Sequence, residues 1–258
     1  MLKVFAIASR DLGSYLHTFS FYLMLALFTG ITGYFFWSTL SYFSLVSFQA
    51  AANPAVSVRG LNLTEGVMGP FLGNVSALML LFIPLLAARS FSEERKSGTL
   101  ELLVTYPVSD AQIVMGKFLA LTGLLMVLVL PTVFYFLLAR PIHVHFEAVA
   151  LGTGYLGLVL AGMSFISLCI FISSLSEHQT VSAGIGFVIL LFFWIVGWVA
   201  DWASPALGGA FRELSLVEHF RDFTRGVVDT RDIAFFLLFI GFFLFATLSS
   251  LEVRTWKR

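Results

Sequence analysis

Asp, Glu, Lys and Arg are absent from six long stretches of the chain, residues 12–58, 66–88, 118–139, 148–176, 178–200 and 233–251, and apolar side chains fill most of each. A hydrocarbon core of about 30 Å requires about 20 apolar helical residues, so each stretch is long enough to cross a bilayer as a helix. The first raises the question of two spans, but its second half holds Ser44, Ser47, Gln49, Asn53, Pro54 and Ser57, which are costly in lipid. The pattern predicts six transmembrane helices, at about 19–42, 68–88, 118–138, 149–172, 180–200 and 233–251, in an all-α polytopic membrane protein.

Three polar segments organise the rest. In residues 1–18, Leu2, Val4, Phe5, Ile7 and Ala8 are interrupted by Lys3, Arg10 and Asp11. That run is too broken for a cleavable signal peptide, and a retained amphipathic helix on the membrane surface is expected. In residues 201–231, Leu207, Phe211, Leu214, Val217, Phe220, Phe223 and Val227 recur at helical spacing, while Pro205, Gly208 and Gly209 interrupt it. One or two short amphipathic helices, re-entrant or interfacial, are expected there. The third segment, 89–117, joins the second and third spans. With no internal repeat, the chain is expected to be a single domain over 1–258.

Composition agrees with a membrane protein: 59% of residues are hydrophobic and 12% charged, about half the charged share of a soluble domain. The net charge is zero and no long basic run is present, which excludes the electrostatic footprint of a nucleic-acid binder. Six spans put both ends on one side. That side would carry Lys3, Lys96, Lys117 and Lys257 with Arg10, Arg89, Arg95, Arg254 and Arg258. The other would carry Arg59, Arg140, Arg212, Arg221, Arg225 and Arg231, most of them beside acidic neighbours. The positive-inside rule then predicts a multi-pass protein of the inner (cytoplasmic) membrane with both termini cytoplasmic.

The spans lack the groups an autonomous pump needs. No Asp, Glu, Lys, Arg or His lies in the central part of a span, so ion- or proton-coupled transport has no carrier group at membrane depth. Asn74, Ser76, Thr122, Thr153, Ser164 and Ser167 are expected to hydrogen-bond between helices. Lys96 stands between Arg95 and Ser97, and Lys117 between Gly116 and Phe118, so neither completes the Gly-Lys-Ser/Thr of a phosphate-binding loop. ATP and Mg would have to be bound by a partner, with no cofactor in this chain. Cys169 is single and in an apolar run, and His143 with His145 supplies two ligands, too few for a metal site. No catalytic and no metal-ligating residues are assigned.

The most informative segment is 89–117. Leu100, Leu103 and Val104 share one helical face, Glu101 and the preceding charges stay solvated, and Pro107 ends the helix. Ser109 and Gln112 form a capping box that starts the next helix. A short amphipathic helix of this kind fits a groove on a soluble partner. The run Glu94-Arg95-Lys96-Ser97-Gly98-Thr99-Leu100-Glu101-Leu102-Leu103, followed by Pro107-Val108-Ser109, resembles the E-[RK]-x-x-G-T-L-E-x-L…P-[VIL]-S signature of type-2 ABC transporter permeases. The resemblance extends over essentially the whole chain. It implies that Glu94, Arg95, Gly98, Thr99, Leu100, Glu101, Leu103 and Pro107 belong to a coupling helix that enters a cleft on a separate ABC ATPase subunit. Two copies of that ATPase would work with two permease halves, a homodimer or a heterodimer with a related permease.

Within that family, the run from Leu216 to Asp229, with His219-Phe220, Phe223, Gly226-Val227-Val228 and Asp229, resembles the branch involved in gliding motility and nitrous-oxide-reductase maturation. The expected role is that of a membrane subunit coupling ATP hydrolysis to export or transfer across the inner membrane. The alternative is a subunit that transmits force to an extracytoplasmic protein without solute flux. Glu213, His219, Arg221 and Arg225 are the candidate contacts for such an outer partner.

Overall fold

Backbone N–H and C=O groups find no partners in hydrocarbon, so a chain this apolar crosses lipid as helices or as a closed barrel. Among the described residues there are helices and no strand. The structure, a computed structural model, describes residues 2–52, 62–96, 98, 108–139, 146–200, 202 and 205–255. In chain order the helices are α1 (Leu2–Leu16), α2 (Phe19–Ala52), α3 (Gly69–Ala87), α4 (Arg89–Lys96), α5 (Asp110–Ala139), α6 (Ala148–Leu175), α7 (Gln179–Ala200), α8 (Pro205–Leu214), α9 (Leu216–Thr224) and α10 (Thr230–Thr255). A π-helical turn (Thr64–Met68) leads into α3. Six helices, based on α2, α3, α5, α6, α7 and α10, are long and apolar enough to cross a membrane.

Two boundaries differ from the sequence expectation. The helix α2 continues to Ala52, past Ser44, Ser47 and Gln49, three of the polar residues expected to end the span; Asn53, Pro54 and Ser57 lie outside the described residues. Its serines are accommodated by their own backbone, Ser44 Oγ donating to the Ser41 carbonyl and Ser47 Oγ to that of Phe43, both at 2.8 Å. The helix α5 begins at Asp110, ahead of the expected span, because the capping box forms: Gln112 N–H donates to Ser109 Oγ and Ser109 N–H to Gln112 Oε1, each at 3.4 Å.

The centre of the bundle is α6, which packs against α3, α5, α7, α9 and α10. Its hydrophobic window is 72% buried, against 22% for α2, 28% for α7 and 17% for α10, so those three present broad apolar faces outward. Small residues put α6 in the middle, since in lipid helices associate through close packing rather than through hydrophobic exclusion. A Cβ placed on Gly157 would stand 2.4 Å from Phe223 Cβ, one on Gly154 2.5 Å from Leu72 Cδ1, and one on Gly162 2.6 Å from Met79 Cε. Between α2, α3 and α5, Phe36, Phe71, Tyr135 and Phe136 interlock, with edge-to-face pairs such as Phe36–Phe71 at 5.4 Å.

Most polar groups in the spans are tied down within or between helices, although the buried hydroxyls of Ser76, expected to bond between helices, and of Ser182 make no hydrogen bond. Tyr135 O–H donates to the Thr29 carbonyl at 2.7 Å, and the Thr132 and Tyr155 hydroxyls meet at 3.0 Å. Thr122 and Ser164 donate to carbonyls one turn back in their own helices, and the Thr153 hydroxyl lies 3.0 Å from the Ala150 carbonyl of its own helix and 3.4 Å from the Phe223 carbonyl of α9. The helices α1 and α4, the turn between α6 and α7, and the end of α10 share one face of the bundle, where Arg95 meets Glu177 and Ser174 Oγ donates to Ser250 Oγ. The π-helical turn, α8 and α9 lie at the opposite end.

Candidate coupling site

On the face that carries α1 and α4, the end of α6 offers unsatisfied carbonyls, and the start of α4 offers unsatisfied N–H groups. Ser173 joins them. Its Oγ accepts the N–H groups of Phe91 (3.0 Å) and Ser92 (3.2 Å) and donates to the Ala88 carbonyl (2.7 Å). One turn further along α4, the Arg95 guanidinium donates to the Ser174 carbonyl at 2.8 Å and to Glu177 at 3.2 Å. A cation at the carbonyl end of a helix is favourably placed against its dipole. Arg95 and Ser173 together hold α4 against α6.

Glu94 points the other way, into a charge cluster built from three helices. Lys117, near the start of α5 and 3% exposed, stands 2.8 Å from Glu94 and 3.4 Å from Asp11 of α1, and donates to the Ser90 carbonyl at 2.6 Å. Three acceptors match the three N–H bonds of an ammonium. Lys117 Nζ also lies over the face of the Phe91 ring, 4.9 Å from its centroid. Arg10 adds a second cation, 2.8 Å from Asp11 and 3.6 Å from Glu94, so two positive and two negative charges balance.

The helix α1 is seated by shape as well as by charge. Gly116 and Gly123, two turns apart on α5, receive it: a Cβ on Gly116 would stand 2.7 Å from Ile7 Cγ2, and one on Gly123 2.8 Å from Leu12 Cδ1. At its other end Tyr15 is 7% exposed; its O–H donates to the Leu86 carbonyl at 3.3 Å and its ring lies 4.5 Å below the Arg89 guanidinium. Burial pushes the Tyr15 phenol well above its usual range, which keeps it a donor.

The sequence-predicted residues therefore divide. Glu94 and Arg95 anchor α4, and Gly98, with φ 70° and open space where a Cβ would be, turns the chain sharply just after α4. Thr99, Leu100, Glu101, Leu103 and Pro107 lie outside the described residues, as do His143 and His145. In the chain, residues 97–107 join α4 to α5, and the Glu94–Lys117 ion pair ties those two helices together. Sequence reasoning missed Lys117 and Asp11 as site residues. A lysine immediately before an apolar stretch, after a glycine, was the visible signal for the first; the second is 106 positions away from it and no local pattern connects them.

At the opposite end, the residues expected to contact an outer partner also separate. Glu213 is exposed and pairs with Arg231, Arg221 lies 3.5 Å from Glu218, and Arg225 is exposed. His219 is instead buried at 6% exposure and faces inward. Its Nδ1 lies 2.6 Å from Asp232 Oδ1, its Nε2 3.1 Å from the Glu213 carbonyl, and its ring stacks on Phe235 at 3.9 Å. A carbonyl only accepts, so Nε2 carries a hydrogen and Nδ1 shares its bond with Asp232. The remaining motif residues have equally local reasons. Ser215 Oγ caps α9 by accepting from the Glu218 N–H. Gly226, φ 83°, completes a Schellman motif in which Val227 N–H donates to the Asp222 carbonyl and Gly226 N–H to that of Phe223. Phe223 fills the notch left by Gly157.

Six apolar helices, two seated surface helices on one face and two short helices on the other define a multi-pass helical membrane protein. Residues 6–243 match the model of the ABC-2 family transporter proteins, and the chain belongs to that family. It is a membrane subunit of an ABC transporter rather than its ATPase. No curated protein matches the chain.

Proposed function

We propose that this chain is the permease half of an ABC exporter whose ATPase is a separate polypeptide, and that the segment 97–107 is the part the ATPase grips. The observation that carries this reading is the Asp11–Lys117–Glu94 cluster. A push on a segment flanked by α4 and α5 reaches α1, α5 and α6 together, because Lys117 and Ser173 join them. Two ATPase copies, each binding ATP and Mg, would act on two permease subunits, with the broad apolar faces of α2 and α7 available for a homodimer contact. In this reading the face bearing α1 and α4 is cytoplasmic in the inner membrane, α8 and α9 are extracytoplasmic, and ATP closure of the ATPases moves α3 and α5. The similarity of the run 216–229 to the gliding-motility and nitrous-oxide-reductase-maturation branch supports placing the chain there.

The test is capture of the full-length chain from its native membrane in Mg-ATP. A nucleotide-binding subunit is expected with the wild type and absent with Glu101→Arg or Leu103→Asp, while both variants still insert. Equal capture of that subunit by all three would refute the docking role. Hydrolysis that proceeds with no measurable flux of solute would assign force transmission to an extracytoplasmic protein instead.

A further inference from the structure

Between α9 and the outer ends of α3 and α7 lies a cleft of about 470 Å³ whose walls differ in chemistry. Arg221 and Arg225, one turn apart on and just past α9, stand at its rim, and Trp194 of α7 with Phe220 supplies the apolar side. The facing wall is Gly69 and Gly73 of α3, where little side chain intervenes; a Cβ on Gly73 would meet nothing within 4 Å. Arg221 is half exposed and only loosely paired with Glu218 at 3.5 Å. Arg225 has no ion-pair partner among the described residues, and exposed Glu65 is the single acidic residue lining the cleft.

We infer that this cleft binds the phosphate head group of an anionic lipid, with the acyl chains running along the exposed apolar flank of α7. Two guanidiniums at one rim against one carboxylate select an anion, and Arg binds phosphate oxygens bidentately. The mixed lining selects an amphiphile: Trp194 and Phe220 share the cleft with the two arginines, and the apolar window of α7, only 28% buried, continues that apolar side away from the charged rim. A water-borne anion would gain the arginines but nothing from the Trp194 side. The inference does not depend on an ATPase docking at the other end of the molecule.

The purified full-length chain, delipidated in a neutral detergent, is offered phosphatidylglycerol, phosphatidylcholine or inorganic phosphate, and retention is read by native mass spectrometry. Phosphatidylglycerol is expected to bind at least about tenfold more tightly than phosphatidylcholine and to resist displacement by millimolar inorganic phosphate. Arg221→Ala/Arg225→Ala should remove that preference. Gly73→Leu should abolish retention by filling the cleft, where a Cβ meets nothing within 4 Å, and its melting midpoint is read alongside to confirm that the fold is kept. Equal retention of the two lipids, displacement by inorganic phosphate, or retention unaffected by both variants would each overturn the inference. A shift from dimer to monomer in the variants with lipid retention intact would overturn it too, identifying the cleft as a contact between copies.

Discussion

Lys117→Met isolates the charge cluster, because methionine keeps most of the stem and removes only the ammonium. At 2.8 and 3.4 Å and an effective dielectric of about 20, attraction of Lys117 to Glu94 and Asp11 is about 6 and about 5 kcal/mol. Desolvation of an ammonium that is 3% exposed opposes this by several kcal/mol, so the net value of the cluster is far smaller than the sum. Removing the cation alone is different, since it leaves two carboxylates and the Ser90 carbonyl without their partner. Breaking a buried pair costs about 3–5 kcal/mol. Asp11 and Glu94 keep side-chain exposures of 13% and 18%, and Arg10 stays beside both, which places the expected loss at the low end, about 3 kcal/mol. Reversible unfolding in mixed micelles reads that loss, and hydrogen exchange over residues 2–16 should rise as α1 loosens. A cycle with Glu94→Gln should return a coupling energy of about 1–3 kcal/mol. A loss under about 0.5 kcal/mol, or strictly additive variants, would refute the claim that Lys117 joins the three helices.

Three further outcomes follow from the packing. Gly157→Ala places a methyl 2.4 Å from Phe223 Cβ and is expected to cost about 1–3 kcal/mol by thermal or denaturant unfolding; an unchanged midpoint would contradict the close packing of α9 on α6. Gly226→Ala forces an L side chain to φ 83°, at about 1–2 kcal/mol, and should raise hydrogen exchange in α9 before it affects the spans. Burial raises the Tyr15 phenol above its ordinary value of 10.0, so the folded state favours the neutral form and its stabilisation is fully present below pH 10. As pH rises beyond 10 the wild type should lose stability faster than Tyr15→Phe, by up to about 1.4 kcal/mol per pH unit, and parallel pH profiles would contradict this.

The spans were legible in the sequence because lipid imposes one rule on every residue of a crossing helix, and a stretch without charges satisfies it visibly. The capping box at Ser109 and the two short helices before the last span were legible for a related reason, since both are written within a few neighbouring positions. Contacts between distant segments were not. Lys117 looked like an ordinary boundary lysine, because its partners Asp11 and Glu94 belong to other helices. His219 looked like a surface residue of an amphipathic helix, because nothing near it in sequence announces that Asp232 and Phe235 of α10 will close over its ring. The extension of α2 to Ala52 was missed for a third reason: serine hydroxyls bonded to their own helix hide a polarity that composition alone overstates.

The two ends of the molecule are joined by one helix. Ser173 and Ser174, at the end of α6, hold α4 through its N–H groups and through Arg95. Thr153, Gly154 and Gly157, near the start of α6, hold α9 through the Phe223 carbonyl and ring. From Gly157 to Ser173 is about 24 Å of continuous α-helix at 1.5 Å per residue, and it contains no proline at which it would bend. A displacement of α4 that preserves its bonds to Ser173 must therefore shift α6 as a unit, and α9 with it. A substitution that softens α6 between these points, Ser164→Pro for instance, should leave both attachments intact in sequence yet uncouple them. Hydrogen exchange in α9 would then stop responding to Lys117→Met, whereas an α9 that still responded would show that the connection runs through other helices.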